Sequence, residues 1–177
     1  MQLLLIRHAR PQTAAADIGS EPNLSYDGNE QARRLPDALS KFSLARIVSS
    51  PHLQALQTAA PVADQLGLSV DVDERFAEYD HDPSDGAFVG RVKAAIDDVI
   101  AAGAQGDTVA VFTHGGVINA AVHGIVKTER VLSFAPDYAS LTRLLVSDGG
   151  ELSVASVNVT EHVWDLLYRT QWWTEEH

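Results

Sequence analysis

The chain has 177 residues, 45% of them hydrophobic, and carries 13 Lys and Arg against 24 Asp and Glu, a formal charge of −11. That length and apolar content fit one domain, expected to run over 1–177, with a sizeable buried core. The acidity, with no basic run longer than Arg33-Arg34, argues against nucleic acid and anionic membranes as partners, and the lack of cysteine excludes thiol nucleophiles, disulfide frameworks and thiolate-bound zinc.

In chain order, the first element is an apolar strand, Gln2 to Ile6, which stops at Arg7-His8. Its start lacks the cationic head, long apolar core and cleavage site of a signal peptide, and no apolar run in the chain approaches the roughly 18 residues of a membrane span. A cytoplasmic location is the expectation. Ala14-Ala15-Ala16 reads as a loop, followed by a helix from Ser25 to Ser40 with turn and capping groups at Asp27, Gly28 and Asn29. A strand at Arg46 to Val48 leads to a helix from His52 to Leu66, with Pro51 near its start and Gly67 after its end. A third strand spans Ser69 to Val72, Asp80 to Gly86 reads as a second loop on the same rim, and Phe88 to Ala102 reads as a helix. Val109 to Thr113 is the fourth strand. The tail changes character: Leu141 to Ser147, Asp148-Gly149-Gly150 and Glu151 to Asn158 predict an antiparallel hairpin, and Glu161 to Arg169 a last helical stretch. Alternating strands and helices predict a three-layer α/β/α sandwich, with a mostly parallel central sheet and an antiparallel edge hairpin.

Ligands of such sheets bind at the carboxyl ends of the strands, near the point where strand order reverses. Two apolar strands here end in histidine: Leu3-Leu4-Leu5-Ile6 delivers Arg7-His8, and Val109-Ala110-Val111-Phe112 delivers Thr113-His114-Gly115-Gly116. A facing histidine pair beside a fixed cation suits a phosphate, and Gly115-Gly116 lets the backbone and the following helix start approach an anion closely.

These residues resemble the histidine phosphatase superfamily, which includes cofactor-dependent phosphoglycerate mutases and many small phosphatases. The resemblance runs through LLLIRHARP, LSYDGNEQARRL, IVSSPHLQALQTAAPVADQLGL, FAEYD, VAVFTHGGVINAAV, DYASLTRL and NVTEHV, nearly the whole chain. It implies a phosphohistidine mechanism, with His8 as nucleophile, Arg7 as phosphate clamp and His114 as donor to the phosphoryl oxygens. Glu78 matches the carboxyl group that protonates the leaving alcohol and then helps to activate water. Asp80 and Asp82 are less suited substitutes, and an acidic rim of solvated residues is the plain alternative for Glu78. His162 matches a late histidine of the family with a structural role. The chemistry agrees: phosphoryl transfer needs an in-line nucleophile and positive charge around the equatorial oxygens, and the resemblance implies that it proceeds without metal or other cofactor. A neutral imidazole is a competent nucleophile near pH 7 when its other nitrogen is held by a hydrogen bond.

The chain departs from the pattern in two places. Where the family places a second clamp arginine, Ser50-Pro51-His52-Leu53-Gln54-Ala55 has Gln54. Losing one strong transition-state donor costs about 10²- to 10³-fold in rate. Arg10, two residues after His8, is the candidate replacement, with pairing to acidic side chains as its rival role. The second departure is the short excursion from Tyr79 to Ala87 after Glu78, which predicts a shallow, open cleft and favours hydrolysis of a phosphomonoester over a mutase reaction. Thr13 is a weak match for a small hydroxyl residue that follows the first histidine in mutases.

The predicted site is therefore His8, Glu78 and His114 for catalysis, with Arg7, Arg10, Gln54 and Gly115 on the phosphate and no metal ligands. His52, His81 and His123 lack metal-ligand spacing and read as surface or structural groups. Trp164, Trp172 and Trp173 either cover a core edge or make a contact in a homodimer. Two functions fit: a metal-independent phosphatase acting on small phosphorylated substrates through phosphohistidine, or a protein that holds phosphate or a phosphorylated ligand with little turnover because of Gln54.

Overall fold

The computed structural model describes residues 1–12, 22–79 and 86–167. Ala14 to Ala16, Thr13, Asp80 to Asp85 with His81, and Trp172 and Trp173 lie outside the described residues. The described residues form β1 (Gln2–Arg7), α1 (Tyr26–Leu39), β2 (Leu44–Ser49), α2 (Leu53–Leu66) and β3 (Val70–Val72). After a 3₁₀ turn at Glu74–Phe76 come α3 (Gly86–Ala101), β4 (Thr108–Thr113), α4 (Gly115–Val126), β5 (Leu141–Val146), β6 (Leu152–Val159) and a 3₁₀ helix at Glu161–Leu166.

The strands make one six-stranded sheet in the order β3-β2-β4-β1-β5-β6. The first four are parallel, while β5 runs antiparallel to β1 and β6 antiparallel to β5, which is the expected parallel sheet with an edge hairpin. Successive side chains of a strand face opposite ways, so a strand buried on both faces must be apolar throughout. β1 shows this directly. Leu3 and Leu5 pack with Phe88, Val92 and Ile96 of α3 and Ile118 of α4, whereas Leu4 and Ile6 pack with Leu35 and Leu39 of α1 and Val62 of α2. Helices therefore cover both faces, giving the three layers. Residues 3–6 are all fully buried, and truncating one such leucine to alanine typically costs about 2–5 kcal/mol.

Several ends differ from the sequence reading. The cap of α1 is Ser25, whose Oγ accepts the Gly28 N–H at 3.0 Å, rather than Asp27 or Asn29, because only the residue before the first turn can turn its side chain back onto those amides. Gly28 is needed for another reason: a Cβ there would lie 2.0 Å from the Arg10 carbonyl oxygen, so α1 rests directly on the loop after β1. α3 starts at Gly86, ahead of Phe88, and the last helical stretch is a 3₁₀ helix ending at Leu166. No helix among the described residues is long and apolar enough to cross a membrane.

Candidate active site

β1 and β4 are parallel neighbours in register, with Ile6 beside Phe112 and Arg7 beside Thr113. The pairing continues one residue past β1, where the His8 N–H donates to the Thr113 carbonyl at 2.8 Å. Equal strand ends thus bring His8 and His114 together, with ring centroids 5.1 Å apart and planes tilted by 59°. Both are nearly inaccessible, at 7% and 2% exposure.

The His8 ring is fixed by its own chain. Its Nδ1 lies 2.9 Å from the Ala9 carbonyl oxygen. A carbonyl can only accept, so Nδ1 carries the hydrogen and Nε2 keeps its lone pair. Burial, opposed by that hydrogen bond and reinforced by the Arg7 and His52 charges, lowers the His8 pKa to about 4, so the ring is neutral near pH 7. The Ala9 N–H in turn donates to Thr58 Oγ1 at 2.8 Å, and that hydroxyl donates to the Gln54 carbonyl, which ties the loop after His8 to the first turns of α2.

His114 shares a 2.7 Å hydrogen bond between its Nε2 and Ser50 Oγ at the end of β2. Its burial, together with the charges of His8, His52, Arg7 and Arg91, lowers its pKa to about 2. It acts as a neutral group.

Arg7 is built in rather than mobile. Its Nη1 donates to the Pro136 carbonyl, and its guanidinium lies 4.0 Å over the Tyr138 ring. Its Nε is buried with no hydrogen-bond partner among the described residues. A Cβ on Gly115 would come within 3.6 Å of that Nε, so the unused donor borders the start of α4. A guanidinium N–H beside a helix N-terminus is a cradle for a phosphoryl oxygen.

Glu78 reaches the same helix start. Its Oε2 accepts the Gly116 N–H at 3.1 Å, and its Oε1 accepts the Tyr79 N–H at 3.2 Å. Burial raises its pKa above the ordinary carboxyl value, against the pull of those two amides and of the Arg7 and His52 charges. Gly116 cannot be larger, because a Cβ there would stand 2.2 Å from Glu78 Oε1 and 2.5 Å from the Tyr79 ring. The main chain leading to Glu78 is also tethered: Thr113 Oγ1 donates to the Phe76 carbonyl at 2.8 Å, and Arg91 Nη2 donates to the Ala77 carbonyl at 3.0 Å.

The remaining predicted residues lie at the start of α2 and in the loop after β1, together termed the entrance. Gln54 is in the first turn of α2, with its Oε1 buried and no partner for it among the described residues. The Arg10 guanidinium stands 3.8 Å from the Asp27 carboxylate of α1, and its main chain is held by Gln31 and Ser25.

The family model of the histidine phosphatase superfamily, branch 1, matches residues 3–88 and 83–160, which takes in every element that carries the site. The chain belongs to this superfamily. The chain is 33% identical over 95 residues to phosphoserine phosphatase 1 of Hydrogenobacter thermophilus, a match covering 52% of this chain and 45% of that protein, less than half of its length. Among solved structures, a mycobacterial glucosyl-3-phosphoglycerate phosphatase superposes with a TM-score of 0.73 at 20% identity, covering 89% of this chain and 98% of that one. A phosphoserine phosphatase from Entamoeba histolytica in complex with 3-phosphoglyceric acid gives 0.74 at 20% identity, covering 92% and 98%. Likeness at that identity establishes the fold.

Sequence reasoning missed two residues of this histidine phosphatase's site. Tyr138 packs its ring 5.5 Å from His8 as well as under Arg7. Its loop is positioned by Ala139, which adopts a left-handed φ of 56° and donates its N–H to the Arg7 carbonyl at 3.1 Å. His162 Nε2 donates to the Ala139 carbonyl at 2.9 Å, a structural bond that holds the same turn. The second missed residue is His52. Read as a surface or structural group, it packs edge-on against His114 with ring centroids 4.8 Å apart. His123 bonds Thr128 at the far end of α4.

Proposed function

We propose that this histidine phosphatase hydrolyses small phosphomonoesters through a phosphohistidine formed on His8. The single observation that carries the reading is the tautomer of His8: a buried, neutral ring with Nδ1–H held by Ala9 and the Nε2 lone pair left for phosphorus. In the first step Nε2 forms a bond to phosphorus as the ester P–O bond breaks, and the Glu78 carboxyl gives its proton to the leaving oxygen. In the second, the Glu78 carboxylate takes a proton from water, whose oxygen attacks phosphorus as the P–N bond breaks, releasing inorganic phosphate and restoring both side chains. Arg7, His114 and the start of α4 at Gly115 hold the equatorial oxygens through both steps. These groups supply the charge stabilisation without a metal. Gln54 adds a neutral amide. Arg10 supplies a further cation at the mouth, in competition with Asp27 for its guanidinium.

The raised pKa of Glu78 supports its role as the acid, because a carboxyl group that keeps its proton to higher pH can donate it where His8 is already neutral. A holding protein with little turnover has no need of this acid, which favours the phosphatase. The substrates to try first are phosphoserine and glucosyl-3-phosphoglycerate, after the names of the relatives. The deciding experiment is hydrolysis of an aryl phosphate in the presence of chelator, comparing the native protein with His8→Ala. Activity that survives chelator and disappears in the variant supports the proposal, as does acid-labile, base-stable labelling of the native protein. Equal rates in the two proteins overturn it.

A further inference from the structure

We propose that His52 is a phosphate-binding residue of this site, a protonated imidazole that supplies the charge missing at Gln54. The inference rests on the phosphatase reading and concerns how its phosphate is held. It begins with position. His52 occupies the N-cap position of α2, without a side-chain capping bond, two residues before Gln54, and its main-chain N–H donates to Ser50 Oγ, the same hydroxyl that bonds His114. Its ring meets the His114 ring edge-on at 4.8 Å, so it lies directly beside the second catalytic histidine.

Charge on this ring is felt throughout the site. It acts electrostatically on His8, on His114 and on Glu78, the three groups that handle the phosphoryl and the proton. The charged and titratable groups around it come from each neighbouring element: Arg7 and His8 from β1, His114 from the start of α4, Glu78 from the segment after β3, and Arg91 from α3, whose charge also reaches His114. Arg7 and Arg91 are cations already fixed by carbonyls, and His8 and His114 are neutral. A phosphate dianion entering among them therefore lacks a second full charge on the α2 side, where Gln54 offers only an amide. An imidazole at the head of the same helix can supply that charge by taking up a proton as the dianion binds. Unlike a guanidinium, an imidazole can take up its proton in response to the ligand it meets.

The consequence is a pH-dependent clamp. Its contribution is full where His52 is protonated and is lost where the ring is neutral. The test compares kcat/KM for one aryl phosphate between the native protein and His52→Leu, which keeps the bulk and removes the charge. Taking the ratio of the two proteins at each pH cancels the titration of the substrate. A charge-bearing His52 predicts a ratio of about tenfold or more near pH 5.5 that shrinks toward one near pH 8.5. A ratio independent of pH overturns it. His52→Gln, which can hydrogen-bond but not ionise, should behave like His52→Leu; full activity in His52→Gln at low pH would also overturn it. In a Gln54→Arg background the penalty of His52→Leu should fall severalfold, and an unchanged penalty would count against replacement. Should the native protein show no His8-dependent hydrolysis, the catalytic reading fails by itself. The clamp is then tested by calorimetry of inorganic phosphate in buffers of different ionisation enthalpy. Greater proton uptake by the native protein than by His52→Leu supports the clamp, and equal uptake overturns it.

Discussion

The floor of the site and its entrance are built in different ways. On the floor, His8 and Arg7 continue β1, His114 follows β4 directly, and Glu78 is bonded to the amide of Gly116 in the first turn of α4. Each is held by main-chain bonds that belong to the sheet or to a helix start. At the entrance, His52, Gln54 and Arg10 are side chains at the start of α2 or in the loop after β1, where His52 packs on His114 and Arg10 faces Asp27. The contrast separates two kinds of change: moving a floor residue disturbs the sheet, whereas changing an entrance residue alters side-chain charge and packing near the two histidines.

The strongest challenge to this contrast is to alter a floor group without moving the floor. Glu78→Gln should lower kcat by about 10²- to 10⁴-fold while inorganic phosphate still binds as a competitive inhibitor. The pH profile adds a sign. In the native protein kcat/KM should rise through about pH 4 as His8 loses its proton, and should fall at higher pH as Glu78 loses the proton that burial helps it retain. Glu78→Gln should remove the alkaline fall and leave the acid limb. Next in size is Gly116→Ala, whose methyl group would occupy the space of Glu78 Oε1. Displacing the acid by roughly an ångström should cost about 10²-fold in kcat, with KM little changed; unaltered steady-state rates would show that the carboxyl need not sit there.

At the entrance the expected effects are smaller and can be gains. Gln54→Arg should raise kcat/KM by about tenfold or more by restoring a charged donor, and no gain would mean that the entrance does not limit the reaction. Arg10→Ala should raise KM severalfold with kcat nearly unchanged, since Asp27 already competes for this guanidinium. A large fall in kcat would move Arg10 from the entrance to the floor.

The same division explains what could be read from the sequence. β1 and β4 were legible because strands buried on both faces are apolar at every position, and the hairpin because Asp-Gly-Gly separates two alternating runs. From those strand ends the Arg7, His8 and His114 grouping followed, and the family resemblance added Glu78. His52 and Tyr138 were not legible, because their roles arise from contacts distant in sequence. His52 meets His114 only because β2 and β4 are neighbours, and a histidine before a helix looks like an ordinary surface group. Tyr138 depends on the left-handed Ala139 and on bonds from its turn back to Arg7 and His8, which no local periodicity signals. The cap of α1 was misplaced by two residues or more because Ser, Asp and Asn at positions 25, 27 and 29 are all good capping types, and only the backbone path separates them.

One hydrogen bond, from the His8 N–H to the Thr113 carbonyl, extends the central sheet into the proposed nucleophile itself. An amide there can exchange its hydrogen with solvent only when β1 and β4 part, an event close to complete unfolding. Thermal inactivation should accordingly coincide with melting, without an earlier loss of the loop after β1.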